Sequence, residues 1–563
     1  MILTSKVPIL LLFSVFRVFP AFATPSPQSA DAAYINGRIW TVDSARPEAG
    51  AVAVSGGRIL AVGSTDEIRA FIGGNTAVVD LRGRLMVPGF IDNHTHFISG
   101  GFQMSQVNLR HVKDEAEFAR IIAARAREYP GKWITGGDWD HDLWRSSRLP
   151  ARDLIDPVTS ETPVFVSRYD GHMGLANSAA LKLAGITKDT PDPVGGTIVR
   201  DPATGEPTGI LKDAAMDPIW PLIPDPAEGE LLRAARAALA EANRHGITSV
   251  QDMAYAYGAG DIGTYEELNR LGELTARMYC RTYISDWKSL ADAGVHAGSG
   301  SEMIRLGSLK GFADGSLGSS TALFFEKYLN EDTYGLPGDA LADGRLERWM
   351  TSADSARLQL SIHAIGDSAN SLILGIFARI AGKNPPWDRR FRIEHAQHIS
   401  PEDFSRFRAL NVIACVQPYH AIDDGRWAAG RIGEERCKTT YAFRTFLDNG
   451  VRICFGSDWT VAPISPVLGI YAAVTRRTTD GANPSGWHPE QKISVAEAIR
   501  GYTIDAAYAA FEENEKGSIT TGKMADFTVL EDDILAIDPA AIENVQVAMT
   551  ILGGKIVYRS RPD

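Results

Sequence analysis

Cysteine is scarce: Cys280, Cys415, Cys437 and Cys454 are the four in 563 residues, and none stands in a CxxC or other close spacing. That excludes a disulfide framework and a cysteine-rich metal knot, and leaves buried free thiols as the expectation. Basic runs are missing too. The net charge of −12, spread without blocks of one sign, argues against nucleic-acid binding. Internal repeats and low-complexity tracts, the marks of solenoids and interaction arrays, are absent. Beyond the first residues, no apolar run is long enough to span a membrane.

The N-terminus itself reads as an address. Lys6 precedes an apolar run over 7–16, and Ala21-Phe22-Ala23 supplies a small-x-small cleavage site before Thr24. A secretory signal over 1–23 and a periplasmic or secreted mature protein are therefore expected. Arg17 interrupts the run and argues against a membrane-spanning helix, and no cysteine is placed for lipid attachment.

Turn chemistry marks two small β segments. Asn36-Gly37 and Gly56-Gly57 separate strand-like runs near the start, and Gly553-Gly554 does so near the end. Such dipeptides predict hairpins because their central residues must adopt positive φ. The segments 31–85 and 515–563 are expected to build one β-sandwich from both chain ends.

The stretch 86–514 alternates strand and helix patterns. Strands are predicted to begin at Met86, Ile247, Ala276, Ser308, Leu358, Phe391, Val412 and Val451. The helical stripe of Leu231, Leu232, Ala235, Leu239 and Ala242 is the clearest of the intervening helices. Eight strands in this alternation predict a (β/α)₈ TIM-like barrel, with a doubly wound sheet as the competing fold. About 150 residues separate the first two strands, far beyond an ordinary βα loop, so an inserted subdomain at about 105–225 is required. The stretch from Ser316 to Arg345 could form a lid.

Ligand chemistry recurs where these strands end. His94 and His96 close the first, Lys310 the fourth, His363 the fifth, His395 the sixth and Asp458 the eighth. Residues i and i+2 of a strand share a face, so both imidazoles of His94-Thr95-His96 can reach one ion. In a barrel the C-terminal strand ends converge on one mouth, which makes these distant residues neighbours. Imidazole and carboxylate suit zinc, and also manganese, iron or cobalt. Lys310 must lose its charge to join such a set, or else serve as an ordinary lysine paired with Asp314 or a substrate anion. A competing lysine, Lys212, lies in the insert.

The motifs Pro88-Gly89-Phe90-Ile91-Asp92-Asn93-His94-Thr95-His96 and Phe455-Gly456-Ser457-Asp458-Trp459 resemble the first- and last-strand signatures of the amidohydrolase superfamily. Segments 310–316, 361–367 and 392–397 are similar to the branch containing N-substituted formamide deformylases and related exported proteins. The resemblance covers nearly the whole chain after the leader. It implies two divalent metal ions, zinc expected, with His94, His96 and Asp458 on one, His363 and His395 on the other, and Lys310 bridging as a CO2-derived carbamate. It also implies attack by a hydroxide held between the metals, with Asp458 moving the proton, and a place for His172 near the substrate oxyanion. The expected reaction is cleavage of an amide or formamide C–N bond in a small molecule. Lactone or ester hydrolysis, decarboxylation and a non-catalytic periplasmic binding protein are the rivals. A homo-oligomer is compatible with the chain.

Overall fold

The computed structural model describes residues 29–146, 148–159, 161–253 and 259–560. The leader expected over 1–23 lies outside them. Eight strands form one parallel path: β1 (Phe90–Thr95), β2 (Ile247–Asp252), β3 (Arg277–Tyr283), β4 (Ile304–Phe312), β5 (Gln359–Ala364), β6 (Arg392–His395), β7 (Ile413–Val416) and β8 (Ile453–Phe455). Each pairs in parallel with the next in chain order. The ring closes just beyond the ends of β8 and β1. There Thr95 bridges Trp459 in parallel, His94 O accepts from Asp458 N at 2.7 Å, and Trp459 O accepts from His96 N at 2.6 Å. Asp92 ties the same seam, its Oδ1 accepting from Ser457 N at 2.9 Å. Gly456 lets the two strands approach, since a Cβ there would stand 2.6 Å from His94 N.

Helices wrap this barrel because their apolar stripes face it. In Glu228–Arg244 the buried apolar positions are Leu231, Ala234, Ala235, Ala238, Leu239 and Ala242, at helical spacing. Leu232 sits at the edge of that stripe, only partly buried.

Both chain ends do meet in a sandwich. One sheet orders Lys555–Arg559, Val547–Leu552, Phe527–Leu530, Leu85–Pro88, Arg38–Trp40 and Glu48–Ala49 as neighbours. The other comprises Arg58–Gly63, Ala51–Ser55, Ala32–Ile35 and Ala77–Asp80. Tyr34, Val52, Met86, Phe527 and Ile551 fill the space between them. Met86 therefore belongs to the sandwich, not to the first barrel strand, which starts at Phe90. The Pro88-Gly89 step separates the two because Gly89, whose Cβ would stand 2.1 Å from Thr248 Oγ1, passes tightly against β2.

The glycine pairs at 56–57 and 553–554 turn antiparallel hairpins with positive φ, as their chemistry predicts. Asn36-Gly37 does not. Asn36 adopts φ 55°, and the turn carries the chain from one sheet to the other. The residues between β1 and β2 include a six-stranded sheet with its own apolar clusters. Trp139 and Trp144 are core residues of this insert.

Candidate metal centre

The strand ends converge as barrel geometry requires. Ligand atoms of His94, His395 and Asp458 all lie within 4.8 Å of one another, and all three residues are buried. Asp458 Oδ1 stands 3.5 Å from His94 Nε2 and 3.4 Å from His96 Nε2. Lys310 Nζ is 3.3 Å from His94 Nε2. The His363 ring centroid lies 4.5 Å from that of His395, and that of His172 lies 5.1 Å from His363. His395 thus stands beside His94 and Asp458 as well as beside His363.

Two of these ligands hold left-handed backbone conformations, His395 at φ 73° and Asp458 at φ 58°. Such conformations persist in non-glycine residues where surrounding structure enforces them, and they concentrate at functional sites.

The residues fit a divalent cation. Burial, helped by the Lys310 ammonium, pushes the His94 imidazole down to about 3. Burial also holds His363 and His395 well below the ordinary imidazole range. Neutral imidazole is the form that binds metal. Burial would raise the Asp458 carboxyl, but His94 and its neighbours outweigh it and keep the group well below the usual carboxylate range. Asp458 Oδ1 is buried without a hydrogen-bond partner among the described residues, an arrangement that is costly unless something else satisfies it.

Supporting groups lie behind the ligands. His94 Nδ1 is 2.5 Å from Glu394 Oε2, while Glu394 Oε1 accepts from Ser361 Oγ at 2.5 Å and Arg392 Nε at 3.0 Å. His395 Nδ1 pairs with Gln417 Oε1 at 2.9 Å. Such partners fix tautomer and ring orientation.

Asp314 does not pair with Lys310. It accepts backbone N–H groups of Leu323, Ile365 and Gly366 at 2.8, 3.0 and 2.8 Å, tying the 316–345 stretch to the barrel. Lys212, on the insert, pairs with Glu331 of the 316–345 stretch at 3.4 Å. His398 is engaged with Thr440 Oγ1 at 2.7 Å. Sequence reasoning gave no role to His420, yet its Nε2 stands 3.9 Å from Asp458 Oδ2. Its signal was weak, because it sits four residues beyond the end of β7.

A cavity of about 760 Å³ opens above these residues, lined by His96, His172, Lys310, His363, His395 and Asp458 among others. His172 Nδ1 stands 2.6 Å from Asp213 Oδ1, and Asp213 takes a left-handed φ of 46°. A second acid–histidine group, Asp140, His141 and Asp142, is occupied by Arg168, which pairs with Asp142 at 2.9 Å and Asp140 at 3.5 Å.

Residues 77–558 match the signature of the amidohydrolase family, and residues 50–71 match an imidazolonepropionase-like composite domain of bacteria. The chain is 41% identical over 551 residues to Protein LONG AFTER FAR-RED 3 of Arabidopsis thaliana, covering 95% of this chain and 92% of that one. It is 29% identical over 549 residues to N-substituted formamide deformylase of Arthrobacter pascens, covering 94% and 99%. An uncharacterised metal-dependent hydrolase from Pyrococcus horikoshii superposes with a TM-score of 0.73 at 25% identity, covering 90% and 99%.

Proposed function

Because this chain belongs to the amidohydrolase family of metal-dependent hydrolases, we propose that it hydrolyses a C–N bond in a small amide or formamide. The observation that carries the proposal is the convergence, in a buried site, of Asp458 Oδ1 with the Nε2 atoms of His94 and His96 at 3.5 and 3.4 Å. The similarity to an N-substituted formamide deformylase supports the choice of bond.

His94, His96 and Asp458 would hold one divalent cation, zinc by preference, and His363 and His395 a second, with Lys310 between them. Bound there, such ions supply Lewis acidity toward a carbonyl and lower the pKa of water. The Asp458 carboxylate would take the proton of the attacking water and return it to the leaving nitrogen. His172, anchored through Nδ1 on Asp213, offers Nε2–H to the carbonyl oxygen as negative charge develops. Burial opposes its charge, but Asp213 prevails and raises the imidazole above its ordinary value.

Burial pushes Lys310 down to about 8, which leaves a share of free amine near neutrality. That amine adds CO2: the nitrogen forms a bond to carbon and loses a proton, and a carbamate replaces an ammonium that would repel a cation.

Metal analysis of the purified chain, with and without bicarbonate, tests the proposal together with hydrolysis of a panel of N-formyl and N-acyl amines. Bound metal with turnover on that panel is expected. Turnover confined to lactones or esters, or bound metal without turnover on any carbonyl compound, overturns the C–N assignment.

The apolar run over 7–16 followed by Ala21-Phe22-Ala23 supports export of the chain with cleavage before Thr24. A native chain beginning at Thr24 by mass spectrometry agrees with this, and one retaining Met1 overturns it.

A further inference from the structure

The cavity above the metal ligands is chemically lopsided. On the flank of β3 and β4 it is walled by Met216, Trp220, Ile223, Tyr283 and Phe312. Trp220 and Tyr283 remain 46% and 42% exposed there, a large apolar surface for a rim. Trp220 is braced by Phe165, ring centroids 4.9 Å apart.

The opposite flank, beside β8 and β1, carries Gln103, Asp138 and Thr460. Gln103 Nε2 donates to Asp138 Oδ2 at 2.6 Å and to Thr460 O at 3.0 Å, which fastens Asp138 two residues beyond Asp458. Asp138 ends a run of three left-handed residues, Gly136 at φ 90°, Gly137 at 114° and Asp138 itself at 57°. The run lies on the strand Gly136–Trp139 of the insert sheet, between Val107–Asn108 and Phe165–Arg168.

Among the described residues lining this cavity, the carboxylates of Asp138, partly buried, and Asp225, which is exposed, stand without an ion pair. Asp170 pairs with Arg168 at 2.6 Å, Asp424 accepts from the Tyr441 hydroxyl at 2.5 Å, and Asp458 faces imidazoles. Among the described residues lining the cavity, the arginine and lysine are Arg168 and Lys310. Arg168 is consumed by three aspartates, and Lys310 belongs to the metal-ligand set. Arg110, whose charge bears on Asp138, is paired with Asp423 Oδ2 at 3.0 Å. Asp138 is hydrogen-bonded by a neutral amide, and Arg110 lies outside the cavity lining. A carboxylate so placed favours a positive ligand and repels a negative one.

We propose that Asp138 is a specificity-determining residue that selects substrates carrying an organic ammonium or guanidinium group, with the apolar portion of the substrate lying toward Trp220 and Tyr283. This rests on the hydrolase assignment above for the word substrate, but not for the binding preference itself.

Two measurements on the metal-loaded, full-length protein separate the claims. The first is calorimetric binding of (2-phenylethyl)trimethylammonium and of its uncharged isostere with carbon in place of nitrogen. The cation should bind about tenfold tighter, and Asp138→Asn should bring the ratio near one. The second is hydrolysis of N-formyl-1,5-diaminopentane against N-formylhexylamine, where kcat/KM should favour the charged compound by a similar factor that Asp138→Asn removes. Equal binding of both probes by the wild type, or a ratio unchanged in Asp138→Asn, overturns the inference even where both formamides are hydrolysed. A charge preference that depends on Asp138, without turnover of either compound, upholds it and counts against the hydrolase assignment instead. Should Asp138→Asn fail to fold, Gln103→Leu, which frees the carboxylate from its anchor, must also weaken the preference.

Discussion

Glu394 Oε2 and His94 Nδ1 stand 2.5 Å apart with both side chains wholly shielded from solvent. The contact fixes His94 with Nε2 turned toward Asp458 and Lys310. Glu394→Gln keeps the shape but weakens the acceptor. Metal affinity, measured by chelator competition, should fall by about 10–100-fold while the thermal unfolding profile keeps a single cooperative transition.

Lys310 lies among ligands where an ammonium is unwelcome. Lys310→Ala should lose metal and activity together, by more than about 100-fold in kcat/KM on any substrate found. Metal content by elemental analysis checks the first half. Full activity in this variant would remove Lys310 from the centre.

His172 titrates above its ordinary value because Asp213 stabilises its charged form against burial. The imidazolium is therefore present below the unfolded value and is lost only as pH rises through the raised folded value. Hydrolysis that uses this donor should decline on the alkaline side at that point. Asp213→Asn should move the alkaline limb of kcat/KM to lower pH, and an unmoved limb would exclude His172 as the donor.

Gly456 allows β8 to close on β1. A methyl group at this position meets His94 N at 2.6 Å and Asp92 Oδ1 at 2.9 Å, both fixed by the barrel seam. Gly456→Ala should cost about 1–3 kcal/mol in denaturant unfolding and also reduce metal affinity. A variant as stable as the wild type would show that the seam can relax.

Much of this site was legible because barrel topology turns sequence order into space. A residue ending a strand goes to the mouth whatever lies between strands, so His94, His363, His395 and Asp458 could be gathered from periodicity and turn signals alone. What escaped were contacts that no local pattern encodes. Glu394 meets His94 across 300 residues, and Asp213 reaches His172 through the pairing of Met173–Ala176 with Pro207–Asp213 in the insert sheet. Backbone strain escaped as well: nothing about Asp138 in the sequence signals a left-handed φ, a conformation glycine takes more readily. Asn36-Gly37 failed for a related reason. Turn chemistry specifies a bend, while the partner sheets decide whether the bend joins paired strands.

The strand Leu85–Pro88 has as one neighbour Phe527–Leu530, near the far end of the chain. During synthesis the two emerge separated by about 440 residues, on the order of a minute at ordinary elongation rates. Until then the strand leading directly into His94 and His96 has one bare edge. Loss of the last forty residues would leave that edge uncovered permanently, close before His94 and His96 in the chain. The late strand thus acts as a timer: the sandwich strand that leads into the barrel gains this neighbour only after all eight barrel strands have been made.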